Sequence, residues 1–246
     1  IQQYYPNDYY SYCFDYSHPE KMPVNEAWAV KIIDLLKLTE KHSVLDWGAG
    51  SVAGCYALYK QGIDTVRAYD PFAVPNETPE GIKIQNTIPN DRNFDVIIMS
   101  HSLEHVDAPG VEIEKALNIL NDNGYLVIST PNCNSMLFHK HMEHWIQIDA
   151  PRHKTIFNPD ALITLCRGMG LAPINLEYNG AMFGVYHSRE LSEGKTYKES
   201  KKRLESLTKE DNAGMLIKST MVAEWLNEIH YGDQFTAIFK KEVKHG

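Results

Sequence analysis

Five short apolar segments, separated by stretches with helical spacing, constrain the fold of this chain more than any other feature. They are SVLDW (43–47), TVRAYD (65–70), GIKIQ (81–85), FDVIIMS (94–100) and GYLVIST (124–130). Nearly continuous apolar strands that alternate with helices are typical of a parallel sheet covered by helices on both faces. Two more strands are predicted further along, at LAPINLEY (171–178) and QFTAIFKK (234–241). The pattern predicts an α/β fold with a doubly wound, mostly parallel sheet.

Helices are predicted between these strands by the spacing of apolar residues. Val24–Leu38 has apolar residues at 24, 28, 32, 35 and 36, which is the spacing of an amphipathic helix. Further helices are predicted at Val52–Gln61, Ala108–Leu120 and Pro159–Arg167. Asn121–Gly124 predicts a turn that leads into the strand Tyr125–Ser129.

The remaining segments divide the chain into an N-terminal arm, a core and an insertion. Six of the fourteen tyrosines lie in residues 1–22, an arm that we expect to pack on the domain or to stack on substrate. We therefore assign 1–42 to the arm and its helix, and 43–246 to a single domain. A helical or loop insertion is expected at about 180–230, before the last strand, with its charged run solvated. Because the chain begins with Ile1 instead of Met, the question whether a segment precedes it stays open.

Composition and charge exclude several classes of protein. The 246 residues are 43% hydrophobic and carry a net charge of −8, which disfavours general binding to nucleic acids or anionic membranes. The longest apolar run, Cys55–Tyr59, is far shorter than the roughly 20 residues of a membrane span. The four cysteines include no C-x-x-C pair, so we expect a cytoplasmic location and no cysteine-based zinc site.

The segment Val44–Gly50 (VLDWGAG) carries the most functional information. A strand that ends in a G-x-G turn and continues into a helix points main-chain N–H groups at a ligand. Its glycines continue as G-x-G-x-x-x-G, not as the dinucleotide spacing G-x-G-x-x-G, which disfavours a nicotinamide oxidoreductase. Asp46 would repel a pyrophosphate but attract an ammonium or sulfonium group. Asp70 ends the next strand, where a carboxylate can accept hydrogen bonds from ribose hydroxyls.

These residues resemble the class I S-adenosylmethionine-dependent methyltransferases over about 43–130, with a weaker continuation to 241. VLDWGAG, YDP (69–71) and NTIP (86–89) are similar to the motifs that contact the cofactor, and FDVIIMSHSLEHV (94–106) and LNDNGYLVISTPN (120–132) to the following motifs. Trp47 departs from the small or aliphatic residue usual at its position. The resemblance implies a Rossmann-like sheet of seven strands, six parallel and the last reversed. It also implies S-adenosyl-L-methionine as cofactor, S-adenosyl-L-homocysteine as product, and a cofactor site made of Asp46, Trp47, Gly48, Gly50, Asp70, Pro71, Asn86, Thr87, Ser100 and His101.

Two histidines are candidates for the base that methyl transfer to an alcohol requires. His101 follows a core strand, and His153 lies in a long loop after another strand end, where functional residues concentrate. Arg152 is a third catalytic candidate, because a guanidinium can hold a substrate phosphate or carboxylate. Pairing of Arg152 with Asp149 stays open as the alternative.

Other polar residues near these candidates have structural explanations. Glu104 and His105 are expected mainly to orient the loop and to cap the following helix. His139, His141 and His144 lack the i, i+4 spacing of a helical zinc site, so the sequence predicts no metal site.

A looser resemblance bears on the methyl acceptor. YPNDYYS (5–11) and the loop W-x-x-x-D-x-P-R-H (145–153) are similar to methyltransferases of bacterial glycan and capsule biosynthesis, which are distantly similar to quinone O-methyltransferases. The implied acceptor is a hydroxyl of a sugar or glycan precursor, in polysaccharide biosynthesis. N-methylation of an amino sugar, O-methylation of a phenolic or quinone-type molecule, and a catalytically silent cofactor-binding subunit stay open, as does a homo-oligomer.

Overall fold

The structure, a computed structural model, describes residues 26–50, 52–78, 80–91, 93–207 and 214–242. The predicted tyrosine-rich arm and the end of the charged run therefore lie outside the described residues. Within the described part of the chain, no helix combines the length and the apolar character needed to cross a membrane.

Eight strands form a single sheet in the order β3-β4-β2-β1-β5-β6-β8-β7. The strands are β1 (Ser43–Trp47), β2 (Thr65–Tyr69), β3 (Asn76–Glu77), β4 (Lys83–Gln85), β5 (Phe94–Ser100), β6 (Leu120–Pro131), β7 (Leu171–Tyr178) and β8 (Gln234–Lys241). All seven predicted strands are present. The two-residue strand β3 is an addition at the edge, where it pairs antiparallel with β4.

The strand directions confirm the predicted fold class. Strands β4, β2, β1, β5 and β6 run parallel to one another. Strand β8 is antiparallel to both neighbours, β6 and β7, so β7 runs in the same direction as the central strands. The strand order reverses between β1 and β5, and at such a switch point the carboxyl ends of the strands form a ligand crevice. The sheet therefore places the ends of β1 and β5 side by side at the expected site.

In the described part of the chain, eight α-helices surround or extend the sheet: α1 (Glu26–Leu36), α2 (Ala53–Lys60), α3 (Pro109–Leu117), α4 (Met136–His141), α5 (Pro159–Gly168), α6 (Met182–Ser192), α7 (Tyr197–Leu207) and α8 (Gly214–Glu228). The four predicted helices correspond to α1, α2, α3 and α5. Helix α5 begins where the sequence predicts because Asn158 Oδ1 accepts a hydrogen bond from the Ala161 N–H at 2.8 Å and Pro159 occupies the first turn.

Neighbouring residues of the central strands pack on opposite faces of the sheet, as the period of a strand requires. Val44 of β1 packs in the cluster that contains α1 and α2, whereas Leu45 packs with α3 and α5. Ile98 and Ile97 of β5 divide in the same way. Each such buried aliphatic side chain contributes about 1.5–3 kcal/mol of hydrophobic free energy. Two helical layers therefore cover the sheet.

The start of β6 differs from the prediction. The turn residues Asn121–Gly124 lie inside the strand, where the register shifts so that Leu120 pairs with Phe94 and Tyr125 with Val96. Asn123 adopts a left-handed φ of 61°, and a Cβ on Gly124 would lie 2.8 Å from the Asn121 carbonyl oxygen. The turn chemistry was identified correctly, but it forms an irregularity within a longer strand.

The segment between β7 and β8 forms α6, α7 and α8. Its charged run (192–212) is not entirely solvated, because two cations of the run reach Glu190 of α6, which is fully buried. Lys195 Nζ lies 3.0 Å from Glu190 Oε2, and Arg203 lies 3.4 Å from the same oxygen. A buried carboxylate needs such partners to stay charged. The charges of this run therefore hold its own helices together.

Candidate functional site

The glycine loop between β1 and α2 is fastened to the end of β2. The Gly48 and Ala49 N–H groups donate to the Tyr69 carbonyl oxygen at 2.7 and 3.1 Å. Gly48 and Gly50 have left-handed φ angles of 79° and 49°, a conformation that glycine adopts without a steric penalty. The loop therefore has a fixed shape at the carboxyl edge of the sheet.

Two of the three glycines have a steric reason for their position. A Cβ on Gly48 would overlap Ser102 Cβ, because Ser102 packs against the loop and donates from Oγ to the Trp47 carbonyl oxygen at 2.8 Å. A Cβ on Gly54 would lie 2.9 Å from Asp46 Oδ2. The spacing G-x-G-x-x-x-G thus makes room for Ser102, which follows β5, and for the Asp46 carboxylate.

Asp46 is a buried carboxylic acid at this loop, with 6% of the residue exposed. Its Oδ2 accepts a weak hydrogen bond from Cys55 Sγ at 3.7 Å. Burial raises the pKa of Asp46 to about 7; the Cys55 hydrogen bond opposes the rise and the charge of Asp70 adds to it. A cation bound beside the carboxylate would favour its ionised form. The site can therefore hold an ammonium or sulfonium group.

Asp70 lies across the loop from Asp46. Its Oδ2 accepts the Gly50 N–H at 3.0 Å and its Oδ1 accepts the Phe72 N–H at 2.9 Å. Burial raises the pKa of Asp70, although these two hydrogen bonds oppose the shift. A carboxylate oxygen has lone pairs beyond one main-chain donor, so this arrangement suits a ribose diol.

The other predicted cofactor residues divide between the crevice and the core. Pro71, Asn86, Thr87 and His101 are exposed at the ends of β2, β4 and β5, and Ser100 is half-buried. The Trp47 side chain instead lies in the core: it is 3% exposed, and its indole N–H donates to Glu112 Oε1 at 2.9 Å. The main chain of Trp47 supports the glycine loop, because its carbonyl oxygen accepts the Ser102 hydroxyl. Its side chain, which is unusual at this position of the motif, is explained by its contact with α3.

His101 follows β5 directly and lies beside the glycine loop. It has a left-handed φ of 51°, and its N–H donates to the Ser129 carbonyl oxygen at 2.9 Å. Its Nδ1 lies 3.3 Å from Glu104 Oε1, and its side chain is 40% exposed. Burial lowers the pKa of His101, but the hydrogen bond and charge of Glu104 and the charge of Asp233 raise it overall. This is a histidine held at one nitrogen by a carboxylate.

Glu104 connects His101 to the loop that carries His153. The Glu104 carboxylate is fully buried, and the Thr130 hydroxyl donates to its Oε2 at 3.2 Å. The Glu104 carbonyl oxygen accepts the N–H groups of Lys154 and Thr155 at 2.8 and 3.2 Å. Glu104 therefore holds the loop through its carbonyl oxygen, but the expected helix capping is not observed, since α3 begins after Ala108 without a side-chain cap.

The His153 side chain is only 8% exposed, and its Nδ1 lies 2.6 Å from the Gln147 carbonyl oxygen. Its ring stacks edge-on against His105, with the centroids 4.7 Å apart. Arg152 pairs with Asp149 through both a 2.8 Å hydrogen bond from Nε and a second contact from Nη2. Of the two roles left open for Arg152, the geometry supports this pairing within the loop.

The structure does not bring His139, His141 and His144 together. His141 Nδ1 lies 2.7 Å from Ser192 Oγ, and His144 lies 3.9 Å from Glu143. Among the described residues, the group with ligand atoms all within 4.8 Å of one another consists of Glu104, His105 and His153.

Asp233 is a residue of this edge that the sequence analysis missed. It precedes β8, is 2% exposed, and lies so close to Gly180 and Gly184 that a Cβ on either glycine would overlap its carboxylate. Burial raises the pKa of Asp233 to about 6, against lowering contributions from its own main-chain hydrogen bond, Gln147, His101 and Trp145. An isolated Gly-Asp dipeptide before a strand has no distinctive pattern. In the sequence, Gly180 and Gly184, which make room for this carboxylate, were the signal that could have indicated it.

Comparison with known proteins agrees with this geometry. A family model described as a methyltransferase domain matches residues 20–176, more than half of the chain. The solved structure of a SAM-dependent methyltransferase from Archaeoglobus fulgidus is 18% identical, with a TM-score of 0.52 over 88% of this chain and 94% of its own. A cyclopropane-fatty-acyl-phospholipid synthase-like protein from Lactobacillus casei is 13% identical, with a TM-score of 0.53 over 87% and 90%. At such identities the likeness is one of fold. No curated protein matches the chain.

Proposed function

Because the chain belongs to the methyltransferase domain family and uses S-adenosylmethionine as its methyl donor, we propose that its acceptor is a hydroxyl of a sugar or glycan precursor. The observation that carries this proposal is the exposed His101 imidazole, which is held by the Glu104 carboxylate and is adjacent in sequence to Ser102, a residue that packs against the glycine loop. The acceptor class itself follows the resemblance of the 145–153 loop to glycan methyltransferases.

The residues present fit the cofactor. Two buried acids, Asp46 and Asp70, flank the glycine loop, in which Gly48 has no room for a side chain. We assign Asp46 to the positively charged methionine end and Asp70 to the ribose. Asn86 and Thr87, exposed after β4, are assigned to the adenine side. The bound cofactor supplies an electrophilic methyl group, and the protein has to align an acceptor with it and remove the proton.

His101 is the proposed general base. An alcohol loses its proton during attack on the methyl group, and a positioned imidazole can accept it. Nδ1 of His101 faces Glu104 Oε1, so Nδ1 carries the proton and Nε2 is the basic nitrogen. His153 is less suited to this role, because it is buried and its Nδ1 is held by the Gln147 carbonyl. We assign His153 and Arg152 to the loop that supports Glu104.

A labelled-cofactor assay against nucleotide sugars, amino sugars, phenols and cell-envelope glycans tests the acceptor class. We expect methyl incorporation into a sugar hydroxyl, with no incorporation into the phenols. Methylation of an amine alone would replace the proposal with N-methylation. Cofactor binding without incorporation into any acceptor would support the silent subunit.

The free thiols of Cys55, Cys133 and Cys166 support a cytoplasmic location for the reaction.

Replacement of His101 tests the base. His101→Ala is expected to lower kcat by about 10²–10⁴-fold with unchanged cofactor affinity, since general-base catalysis contributes that much. His144→Ala is the matched control, because the His144 side chain is 49% exposed and its Nε2 lies 3.9 Å from the exposed Glu143 carboxylate. If His101→Ala turns over as fast as His144→Ala, His101 is not the base.

A further inference from the structure

Three metal-ligating side chains from two distant segments meet behind His101. Glu104 and His105 come from the turn after β5, and His153 comes from the loop before α5, 48 residues later than His105. One ligand atom of each lies within 4.8 Å of the ligand atoms of the other two. The His105 and His153 rings are 4.7 Å apart between centroids. The fold therefore gathers one carboxylate and two imidazoles at one point.

The hydrogen bonds of the two imidazoles favour the tautomer that binds metals. His105 Nδ1 lies 3.2 Å from the Arg152 carbonyl oxygen, and His153 Nδ1 lies 2.6 Å from the Gln147 carbonyl oxygen. A carbonyl oxygen can only accept a hydrogen bond, so in each neutral ring Nδ1 carries the proton and Nε2 keeps its lone pair. Metal-binding histidines characteristically donate their other N–H to a carbonyl or carboxylate in this way.

The third side chain, Glu104, is a buried acid with long polar contacts. The residue is fully buried, the Thr130 hydroxyl donates to its Oε2 at 3.2 Å, and its Oε1 lies 3.3 Å from His101 Nδ1. Two cations of the neighbouring loop are engaged by other acids, Arg152 by Asp149 and Lys154 by Asp107. A buried carboxylate needs a positive partner or full hydrogen bonding to offset its desolvation. A metal cation bound among these three side chains would be such a positive partner.

We propose that Glu104, His105 and His153 form a binding site for a divalent transition-metal ion of the Zn²⁺ class. Two imidazole nitrogens and one carboxylate oxygen are ligands that Zn²⁺ accepts at about 2.0–2.2 Å, with further positions open. Tetrahedral bonds of that length separate ligand atoms by about 3.4 Å, so the cluster contracts by about 1 Å through side-chain rotation. The ion fastens the 149–155 loop to the end of β5, next to the cofactor loop.

This site does not require the methyl acceptor, and it differs from the group of histidines that the sequence analysis weighed as metal ligands. Those histidines are His139, His141 and His144, whose side chains contact Asn134, Ser192 and Glu143 respectively. Because no acceptor or cofactor is needed to bind the ion, failure of the metal proposal and failure of the proposed function give different results.

Titration of the chelator-treated full chain with ZnCl₂, and with CoCl₂ followed by visible absorption, tests the site. We expect one equivalent of Zn²⁺ and a Co²⁺ spectrum with absorption bands of a low-coordinate nitrogen and oxygen site. His153→Ala and Glu104→Gln are expected to weaken Zn²⁺ binding by about 100-fold or more, since even outer-shell partners of metal sites are worth 10–100-fold. His144→Ala is expected to bind as the unaltered chain does.

Calorimetry with S-adenosylhomocysteine shows in parallel whether each variant is folded. Retained cofactor binding together with lost Zn²⁺ binding in His153→Ala supports the site. Absence of stoichiometric Zn²⁺ and Co²⁺ binding in the unaltered chain overturns it. So does a folded His153→Ala variant that binds Zn²⁺ as tightly as His144→Ala.

Discussion

The two halves of the crevice are built in different ways. On the side that we assign to the cofactor, Asp46, Gly48, Gly50 and Asp70 lie within 25 residues of one another, at the ends of the adjacent strands β1 and β2. On the side that we assign to the acceptor, Glu104 meets Thr130 at 3.2 Å and the main chain of Thr155 at 3.2 Å, and His101 is affected by the charge of Asp233. The first half is local in sequence, and the second is assembled from four separate segments.

The difference shows in what each half requires. The cofactor side depends on main-chain shape, because Gly48 has no room for a Cβ and Asp70 is held by two N–H groups. The acceptor side depends on side-chain pairing around one buried carboxylate, Glu104. Single substitutions should therefore damage folding and cofactor binding in the first half, and mainly acceptor kinetics in the second. The following predictions test this division, from the largest expected effect to the smallest.

Gly48→Ala should destabilise the chain by about 3 kcal/mol, because a backbone conformation unfavourable to alanine adds to a steric overlap. The φ of Gly48 is 79° and the added Cβ overlaps Ser102 Cβ. The free energy of unfolding, measured in urea, checks this value. Binding of S-adenosylhomocysteine should be lost as well, since the loop has to move.

Gly62→Ala separates the two causes. Gly62 has a φ of 93° but no heavy atom within 4 Å of an added Cβ, so it reports backbone strain alone. Its destabilisation should be about 1 kcal/mol. If Gly48→Ala lowers the free energy of unfolding no more than Gly62→Ala does, the contact with Ser102 does not shape the loop. The double variant Gly48→Ala/Ser102→Gly should then be no more stable than Gly48→Ala.

Asp70→Ala should weaken S-adenosylmethionine binding by about 1–3 kcal/mol, the usual loss when one partner of a buried charged hydrogen bond is removed. Asp91→Ala is the matched control, since Asp91 is 57% exposed at its side chain and pairs with Arg67 at the surface. Calorimetry gives both affinities. Equal affinities in the two variants would remove the ribose assignment of Asp70.

The sequence predicted most of the fold, and it supplied the residues that we assign to the cofactor, because both depend on local patterns. Alternating apolar segments identified seven strands, and the reversed β8 followed from the family resemblance. The short β3 and the irregular start of β6 were not predicted, because edge pairing and register are decided by contacts across the sheet. On the acceptor side, the catalytic candidates were named but not ranked. Burial separates His101 from His153, and no local pattern contains Asp233 or its overlap with Gly184.

The affinity for S-adenosylmethionine should depend on pH through Asp46. With a pKa of about 7 in the free protein, Asp46 is protonated below neutral pH and must release that proton to face a cation. Affinity should therefore fall about tenfold for each pH unit below 7 and level off above it. The raised pKa of Asp46 also affects stability. Between about pH 4 and pH 7 the unfolded chain releases this proton and the folded chain keeps it, so the free energy of unfolding falls as pH rises. Calorimetry between about pH 5.5 and 8.5 tests this, and the same pH dependence in Asp46→Asn would assign the proton to another group.

The loop ion pair should give the smallest effect, and it distinguishes two functions of Arg152. Arg152 and Asp149 are 34% and 25% exposed, so their pairing contributes only about 0.5–1 kcal/mol. If the pair only holds the loop, Arg152→Gln and Asp149→Asn should each raise the acceptor KM by about two- to fivefold, and the double variant should be no worse than either, since both remove one interaction. If Arg152 instead binds an anionic group of the acceptor, Arg152→Gln alone should raise KM by tenfold or more, because a charged hydrogen bond contributes about 1.5–3 kcal/mol. Asp149→Asn would then leave KM unchanged or lower it, since it releases the guanidinium. Cofactor affinity should stay constant in all three variants, because the loop lies on the acceptor side of the crevice.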